Sequence, residues 1–115
     1  MNIYPMSNKN LTDCYAVIFT SKLKDHSDTY TTQSGIMLEL AKKQPGFVDI
    51  ESVRDGQGMG VTVSYWDSME AIKKWQSNAD HLMAQKYGQE KGYESYHLCI
   101  GKVVYDRRFE NQSDG

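Results

Sequence analysis

An α+β fold, in which two helices cover one face of an antiparallel sheet, is predicted from two observations. Segments with strand periodicity and segments with helix periodicity follow one another in the order β-α-β-β-α-β. The chain has 115 residues, enough for one hydrophobic core and too few for two. We therefore expect one domain over residues 14–109, with an N-terminal arm, residues 1–13, and a mobile polar tail, residues 110–115.

The first strand is predicted at residues 14–23, CYAVIFTSKL, which are rich in β-branched and aromatic side chains. A helix should follow it, because apolar side chains then recur at the spacing of one helical face. These side chains are Ile36, Met37, Leu40 and Ala41. The candidate N-caps are Asp25, Ser27 and Asp28. Pro45 and Gly46 should end the helix, because proline lacks a backbone donor and glycine tolerates a left-handed exit.

A β-hairpin is predicted next. Residues 47–54, FVDIESVR, alternate in polarity, so that one face of this strand is wetter than the other. The alternating residues are Val48 and Ile50 against Asp49 and Glu51. The glycine-rich turn DGQGMG then leads into VTVSYW, residues 61–66, which has strand composition.

The second helix should begin at Asp67 or Ser68, and Glu70 is placed to complete a capping box with Asp67. Its apolar residues follow at intervals of three, which places them on one side. They are Met69, Ile72 and Trp75. Ser77 with Asp80 forms a second start signal, so we expect a kink or break near residues 76–78, with further helix to about residue 87 and Gly88 as its C-cap.

The last strand is predicted at residues 93–109, YESYHLCIGKVVYDRRF, with a bend at Gly101, because glycine inside a strand often marks a bulge. The complete order is that of a ferredoxin-like domain with a four-stranded antiparallel sheet. The first strand carries apolar residues on both faces, since Ala16 and Ile18 alternate with Val17 and Phe19. A symmetric partner chain would bury the second face, so the sequence predicts a homodimer.

Composition and motif spacing argue against several classes of partner. The net charge is −2 and the basic pairs are scattered, which does not favour binding to nucleic acid or an anionic membrane. An RNA-recognition module of this element order would place stacking aromatics on the third strand. Met59, Val61 and Ser64 stand there instead. The glycines of the turn lead into a strand, and a phosphate-binding loop needs a helix N-terminus.

The predicted compartment is the cytoplasm. No apolar run approaches the length of a bilayer span, and the N-terminal residues MNIYPMSNKN lack the pattern of a secretory signal. Cys14 and Cys99 are therefore predicted to be free thiols packed as small hydrophobes, although the sequence does not show whether they lie close together.

Several segments then match a known family in order and spacing. They are QPGFVDIES after the first helix, TVSYWDSMEAIKKW across the third strand and second helix, His81 with Ala84 and Gly88, and the final YESYHLCIGKVVYDRRF. With these the chain resembles the antibiotic biosynthesis monooxygenase (ABM) family over residues 14–109. The resemblance implies a dimeric α/β barrel, in which two ferredoxin-like chains pack sheet to sheet.

The resemblance also implies an activity and a site. Phenol oxygenases of this family use no metal or flavin, and their substrate anion reacts with oxygen between sheet and helices. Such a protein must exchange a proton, stabilise an oxyanion and exclude water. Trp75 matches the family's helix tryptophan, and His81 is the nearest residue of the type suited to exchanging a proton near neutral pH. The expected function is therefore oxidation of a small electron-rich aromatic or enol-like molecule by O₂, with Trp75 and His81 as catalytic residues.

Trp66, Tyr15 and Tyr96 are the expected substrate-binding residues. The two tryptophans also have purely structural interpretations. A tryptophan on an apolar helix face, as at Trp75, commonly packs in a core, and a large ring at a strand end, as at Trp66, can cover the barrel mouth. Some of the many tyrosines would line any cavity by chance.

Haem degradation is another activity found in this family, and its residue pattern can be checked in the sequence. The sequence argues against it. That branch pairs the helix tryptophan with a haem-ligating histidine ten residues later, where this chain has Gln85, and with an asparagine that the first strand lacks. The histidines, His26, His81 and His97, do not form a metal-ligand set either. The second functional hypothesis is a non-catalytic dimer that binds haem or a signalling metabolite.

Overall fold

The computed structural model describes residues 2–3, 9–24, 28–87 and 93–111, with the backbone alone for residues 2–3, 28–34 and 82–87. The elements are β1 (Asn2–Ile3), β2 (Tyr15–Leu23), α1 (Asp28–Lys42), β3 (Phe47–Arg54), β4 (Met59–Trp66), α2 (Met69–Tyr87) and β5 (Tyr93–Lys102). From β2 to β5 their order is β-α-β-β-α-β, which confirms the predicted ferredoxin-like α+β class.

The sheet is antiparallel throughout, with strand order β1-β3-β4-β2-β5. The four predicted strands are joined by β1, in which Asn2 pairs with Arg54 and Ile3 with Val53. Part of the predicted N-terminal arm thus extends the sheet edge. We call the face covered by α1 and α2 the inner face, and the opposite one the outer face.

The second helix begins at the cap that the sequence indicated and then departs from the prediction. The Ser68 hydroxyl accepts a hydrogen bond from the Ala71 amide at 3.2 Å, so Ser68 is the N-cap and Asp67 does not form the capping box. The predicted break near residues 76–78 is wrong, because α2 is continuous. Ile72 and Ala79 are both buried on the same side of the helix, so tertiary packing of this side overrides the local start signal.

The turn after α1 requires glycine. Gly46 has a φ of 86°, and an added Cβ would lie 2.5 Å from the Ala71 Cβ and 2.6 Å from an Asp67 carboxylate oxygen. Its carbonyl accepts a hydrogen bond from the Asp67 amide, which ties the start of β3 to the start of α2. The predicted left-handed exit at Gly46 is confirmed. The candidate caps Asp25 and Ser27, and the predicted C-cap Gly88, lie outside the described residues.

The last strand is shorter than predicted, because β5 ends at Lys102 and not at residue 109. Lys102 pairs with Tyr15, the first residue of β2, so beyond it no strand remains to pair with. Residues 103–111 are irregular but anchored, for example by hydrogen bonds between Val103 and both Asp13 and Cys14. No bulge occurs at Gly101; the irregularity lies at the other end of the pairing, between Lys22 and Leu23.

The hydrophobic core lies between the inner face and the helices. Its buried members are Val17, Ala41, Ile50, Trp66 and Ile72. Trp66 and Ile72 are fully buried, and burying side chains of this size contributes about 1.5–3 kcal/mol each. The helices are thereby fixed on the sheet at the end where β4 leads into α2.

The outer face carries an apolar patch on β2 and β4 and has no helix on it. Ile18 is exposed on this face, beside the partly exposed Val61 and Val63. Residues 103–111 add further exposed apolar side chains, namely Val104, Tyr105 and Phe109. Within the described residues, no helix is long and apolar enough to cross a bilayer.

The two cysteines lie far apart. Cys14 is hydrogen-bonded through its backbone to Val103, whereas Cys99 pairs with Ile18 further along the same strands. Four residues of strand separate Cys99 from Val103, or about 13 Å, which is too far for a disulfide. Both thiols are free, as predicted, although Cys99 is exposed and not packed in the core.

Candidate active site

Four cross-strand rows make up the inner face, each with one residue from β3, β4, β2 and β5 in that order. The first row is Phe47, Trp66, Tyr15 and Lys102, and the second is Ile50, Ser64, Val17 and Ile100. The third is Ser52, Thr62, Phe19 and Leu98, and the fourth is Arg54, Gly60, Ser21 and Tyr96. The face is mainly aromatic at the first row, which surrounds the buried Trp66 and which we call the Trp66 end, and polar at the fourth, the Arg54 end.

Trp66 is fully buried and its donor is used within the protein. The indole Nε1 donates to the Ser64 hydroxyl at 2.9 Å. The Phe47 ring packs edge-on against the indole, with centroids 5.6 Å apart. These contacts describe a core residue. The Trp66 N–H is therefore occupied, and the substrate-binding role expected of Trp66 stays a prediction.

Trp75 projects from α2 onto Trp66, with ring centroids 5.4 Å apart. Its Nε1 is buried and has no hydrogen-bond partner in the described part of the chain. A buried donor without an acceptor costs about 1–3 kcal/mol, so such groups are rare in folded proteins. An acceptor oxygen on a bound molecule would satisfy this N–H.

His81 lies on another side of α2. Its side chain is exposed. Six residues separate it from Trp75. In an α-helix this corresponds to a rotation of about 240° and a rise of about 9 Å. The structure therefore does not bring the two predicted catalytic residues together. The proton-transfer role of His81 stays a prediction, and its exposed position weighs against it.

The two predicted tyrosines lie at opposite ends of the inner face. Tyr15 packs against the core at the Trp66 end, with the Lys102 ammonium 5.9 Å from its ring centre. Tyr96 is 57% exposed at the Arg54 end, and its ring lies 5.4 Å from that of Phe19. A small ligand cannot contact both tyrosines, and Tyr96 is the more accessible.

Sequence reasoning missed a polar group in the third and fourth rows. The Ser52 and Thr62 hydroxyls share a hydrogen bond of 2.7 Å. In the next row Arg54 donates through Nη2 to the Ser21 hydroxyl at 2.9 Å. The two-residue period from Ile50 through Ser52 to Arg54 was the available signal, since it places all three on one strand face.

The inner face is open over β5. The helices pack mainly over the other half of the inner face, α1 against β3 and α2 against β4. Tyr96 and Ile100 are therefore exposed although they lie on the inner face. We use the name inner groove for the surface formed by Ser52, Thr62, Phe19, Arg54 and Tyr96. It is polar along its floor, aromatic at its edge and accessible from β5.

Further titratable groups cluster on the outer face. Burial raises the pKa of Tyr65, with Glu51 and Asp49 adding to the effect through their negative charges. Cys14, near the ends of β2 and β5, has its pKa raised by burial and by Asp67. Tyr65 and its acidic neighbours are separated from the inner groove by the sheet, so they do not belong to the same site.

The described residues do not fit a haem ligand. His81 is exposed on α2, and His97 lies on the outer face of β5, opposite Thr20. No group of three or more potential metal ligands occurs among the residues that the structure describes. A histidine that faces the inner groove is therefore missing from this part of the chain.

Comparisons with known proteins identify the family of the chain. The profile of the family described as antibiotic biosynthesis monooxygenase matches residues 15–87, more than half of the chain. The uncharacterised protein YqjZ of Bacillus subtilis is 45% identical over 101 residues, which cover 87% of this chain and 89% of YqjZ. A jasmonate monooxygenase of Pyricularia oryzae is 31% identical over 95 residues. These cover 78% of this chain but only 43% of that protein.

Solved structures resemble the chain in fold. A variant of SnoaB, a cofactor-independent oxygenase from Streptomyces nogalater, superposes with a TM-score of 0.68 at 11% identity, covering 83% of this chain and 97% of SnoaB. A variant of MhuD with manganese protoporphyrin IX in its active site gives a TM-score of 0.64 at 16% identity, covering 83% of this chain and 99% of MhuD. At such identities the likeness shows the fold alone. From the profile match, the chain belongs to the antibiotic biosynthesis monooxygenase family.

Proposed function

We propose that this protein is a monooxygenase that oxidises a small electron-rich aromatic or enol-like molecule with O₂, without metal, flavin or haem. The substrate lies along the inner groove and reaches Trp75. The observation that carries the proposal is the buried indole N–H of Trp75, which has no acceptor in the described part of the chain. The family membership and the relative named as a monooxygenase support it.

The substrate supplies the electrons in this reaction. An activated methylene carbon becomes a carbonyl carbon, one oxygen atom of O₂ enters the product and the other leaves as water, so no external reductant is needed. The protein has to stabilise the enolate or phenolate form that reacts. The Trp75 N–H, buried against Trp66, can donate to that oxyanion where water does not compete.

The same proposal includes a homodimer formed through the outer face. Ile18 is 38% exposed on that face. The neighbouring strand β4 places Val61 and Val63 on the same face. A second copy would cover this surface, and the exposed apolar residues of the C-terminal segment could extend the contact. Ile18→Lys should then sediment as a monomer where the unmodified protein sediments as a dimer; equal sedimentation would contradict this interface.

Oxygen uptake by the purified, metal-free protein tests the activity. The panel comprises phenols, anthrones and enolisable ketones, with jasmonate added because of the relative named for it. Trp75→Phe keeps an aromatic ring in the core but removes the N–H, so we expect a folded protein with at least about a tenfold loss of rate. His81→Ala should keep most of the rate, because the side chain is exposed.

Loss of folding in Trp75→Phe would mean that Trp75 is mainly structural. Loss of activity in His81→Ala with Trp75→Phe unaffected would exchange the roles of the two residues. No uptake with any compound would contradict the oxygenase.

The second candidate is a dimer that binds a small molecule without oxidising it. One observation favours it: the described residues provide a buried donor at Trp75, but His81, the expected proton acceptor, is not beside it. Binding to the inner groove without oxygen uptake on the whole panel would support this function over the first.

A further inference from the structure

Arg54 is a cation held on the inner face of the sheet. It lies at the end of β3, on the same strand face as Ile50 and Ser52, and is partly buried. Its Nη2 donates to the hydroxyl of Ser21, which is 2% exposed, and its Nη1 donates to the Gly58 carbonyl at 2.7 Å. The guanidinium is therefore fixed over the floor of the inner groove.

This charge has no counterion in the described part of the chain. The ion pairs there join other residues, and no carboxylate lies within ion-pair distance of Arg54. A guanidinium has five N–H groups, and the two bonds to Ser21 and Gly58 leave the others unpartnered. Of the guanidinium nitrogens, Nε makes no hydrogen bond in the described part of the chain and is not sealed from solvent, so this side of the guanidinium can meet a ligand.

Gly60 gives the guanidinium its place. In the fourth row Gly60 lies on β4 between Arg54 and Ser21, and an added Cβ would come within 2.8 Å of the Arg54 Cζ. Because Gly60 has no side chain, the planar guanidinium can extend over β4 on the inner face and reach Ser21 on β2. Aromatic rings border the same end of the groove, since Tyr93 and Tyr96 both pack against Phe19 at ring distances of 5.3 and 5.4 Å.

We infer that the Arg54 end of the inner groove binds the carboxylate of the substrate. This inference rests on the proposed function, since it assigns the class of molecule that the groove takes. A guanidinium binds a carboxylate through two parallel hydrogen bonds, and this pairing is strongest where water is partly excluded. The aromatic rings then cover the apolar body of the ligand.

The separation between the Trp75 N–H and the Arg54 guanidinium limits the shape of the substrate. Ser64, which accepts the Trp66 N–H, lies four residues along β4 from Gly60, or about 13 Å. Trp75 packs on Trp66, which is further still from Gly60, so a substrate that reaches from Trp75 to Arg54 must be elongated, with its oxidisable ring at one end and its carboxylate at the other. We therefore assign the substrate to the aromatic or cyclic-enol monocarboxylic acids.

A purely structural role for Arg54 makes a different prediction. The bond to Gly58 fastens the turn between β3 and β4, so Arg54 could stabilise the hairpin alone. In that case its replacement would lower stability without changing the preference between charged and neutral ligands. The preference is therefore the quantity to measure.

Calorimetric titration with two probes tests the inference. 1-Naphthaleneacetate carries the carboxylate, and 1-naphthaleneacetamide is its neutral counterpart of the same shape. We expect the full-length protein to bind 1-naphthaleneacetate at least about tenfold more tightly than 1-naphthaleneacetamide. Added salt should weaken the binding of the acetate and leave the binding of the amide unchanged. Arg54→Gln should bind both equally, and Arg54→Lys should recover part of the preference. Arg107→Gln, which removes an exposed cation elsewhere, should behave like the unmodified protein.

Three outcomes would overturn the inference: an unchanged preference in Arg54→Gln, equal binding of both probes by the unmodified protein, or no binding of either. If Arg54→Gln does not fold, the salt dependence and Arg54→Lys still decide. The oxygenase fails separately. Carboxylate-dependent binding without oxygen uptake would contradict the proposed activity and leave the Arg54 site standing. Equal oxidation of compounds with and without a carboxylate would support the oxygenase and contradict the Arg54 site.

Discussion

The two ends of the inner face use polar groups in opposite ways. At the Trp66 end, the Trp66 N–H is satisfied by Ser64, and the surrounding side chains are buried. At the Arg54 end, the guanidinium keeps unpartnered N–H groups and the neighbouring Tyr96 is more than half exposed. Helices close the first end, and the second is open over β5.

One end of the sheet therefore contributes mainly to folding stability, and the other end mainly to the proposed recognition of the ligand. The Trp66 end contributes the burial that holds the helices on the sheet, whereas the polar rows at the Arg54 end contribute little apolar burial. Trp75 belongs to the first end by its packing on Trp66, yet it keeps an unsatisfied donor. Substitutions at the two ends should therefore affect different measurements.

The largest effect is expected from Trp66→Ala. It removes a fully buried ring and leaves a cavity between β4 and the helices, so the free energy of unfolding should fall by about 3–5 kcal/mol. Tyr96→Ala is the matched aromatic control at the open end and should cost about 1 kcal/mol or less. Urea unfolding measures both, and similar losses would contradict the distinction between the two ends.

Gly46→Ala should have the next largest effect. The residue has positive φ, and the new Cβ would meet the Ala71 Cβ and an Asp67 oxygen well inside contact distance. A loss of more than about 1 kcal/mol is expected. Gly56→Ala, in the turn at the Arg54 end, places its Cβ in open space and should cost less. Thermal melting compares the pair, and a larger loss at Gly56 would show that the turn at the Arg54 end is the more constrained.

The smallest effect is expected at the hydroxyl pair in the third row. Thr62→Val leaves the Ser52 hydroxyl without its partner and should cost about 1 kcal/mol. Adding Ser52→Ala should restore part of that loss, because no unpaired hydroxyl then remains. Strictly additive losses in urea unfolding would mean that water already replaces the missing partner and that the groove is wetter than its geometry indicates.

The fold was largely predictable because its signals are local. Strand and helix periods, the Ser68 cap and the glycine exit at Gly46 all depend on residues near one another in sequence. The predicted break in α2 failed for the converse reason. Ser77 and Asp80 form a local start signal, but Ala79 between them is buried, and burial depends on the tertiary fold and not on neighbours in sequence.

The site was less predictable because it is made by pairing across strands. Arg54, Ser21 and Tyr96 come from three strands, and only the register shows that they share one row. Trp75 could be singled out from its helix position and the family resemblance. The exposure of His81 depends on which side of α2 faces the sheet, and the predicted break near residues 76–78 obscured that.

The most direct test of the account is the indole N–H spectrum of the protein, which has only two tryptophans. ¹H–¹⁵N correlation spectra would be recorded during addition of 6-hydroxy-2-naphthaleneacetate, which carries a ring oxygen at the end opposite its carboxylate, with Trp75→Phe assigning the signals. We expect the Trp75 signal to shift as its N–H gains that oxygen as an acceptor, while the Trp66 signal, already bonded to Ser64, moves little. A ligand that binds without moving the Trp75 signal would contradict the claim that this donor serves the bound molecule.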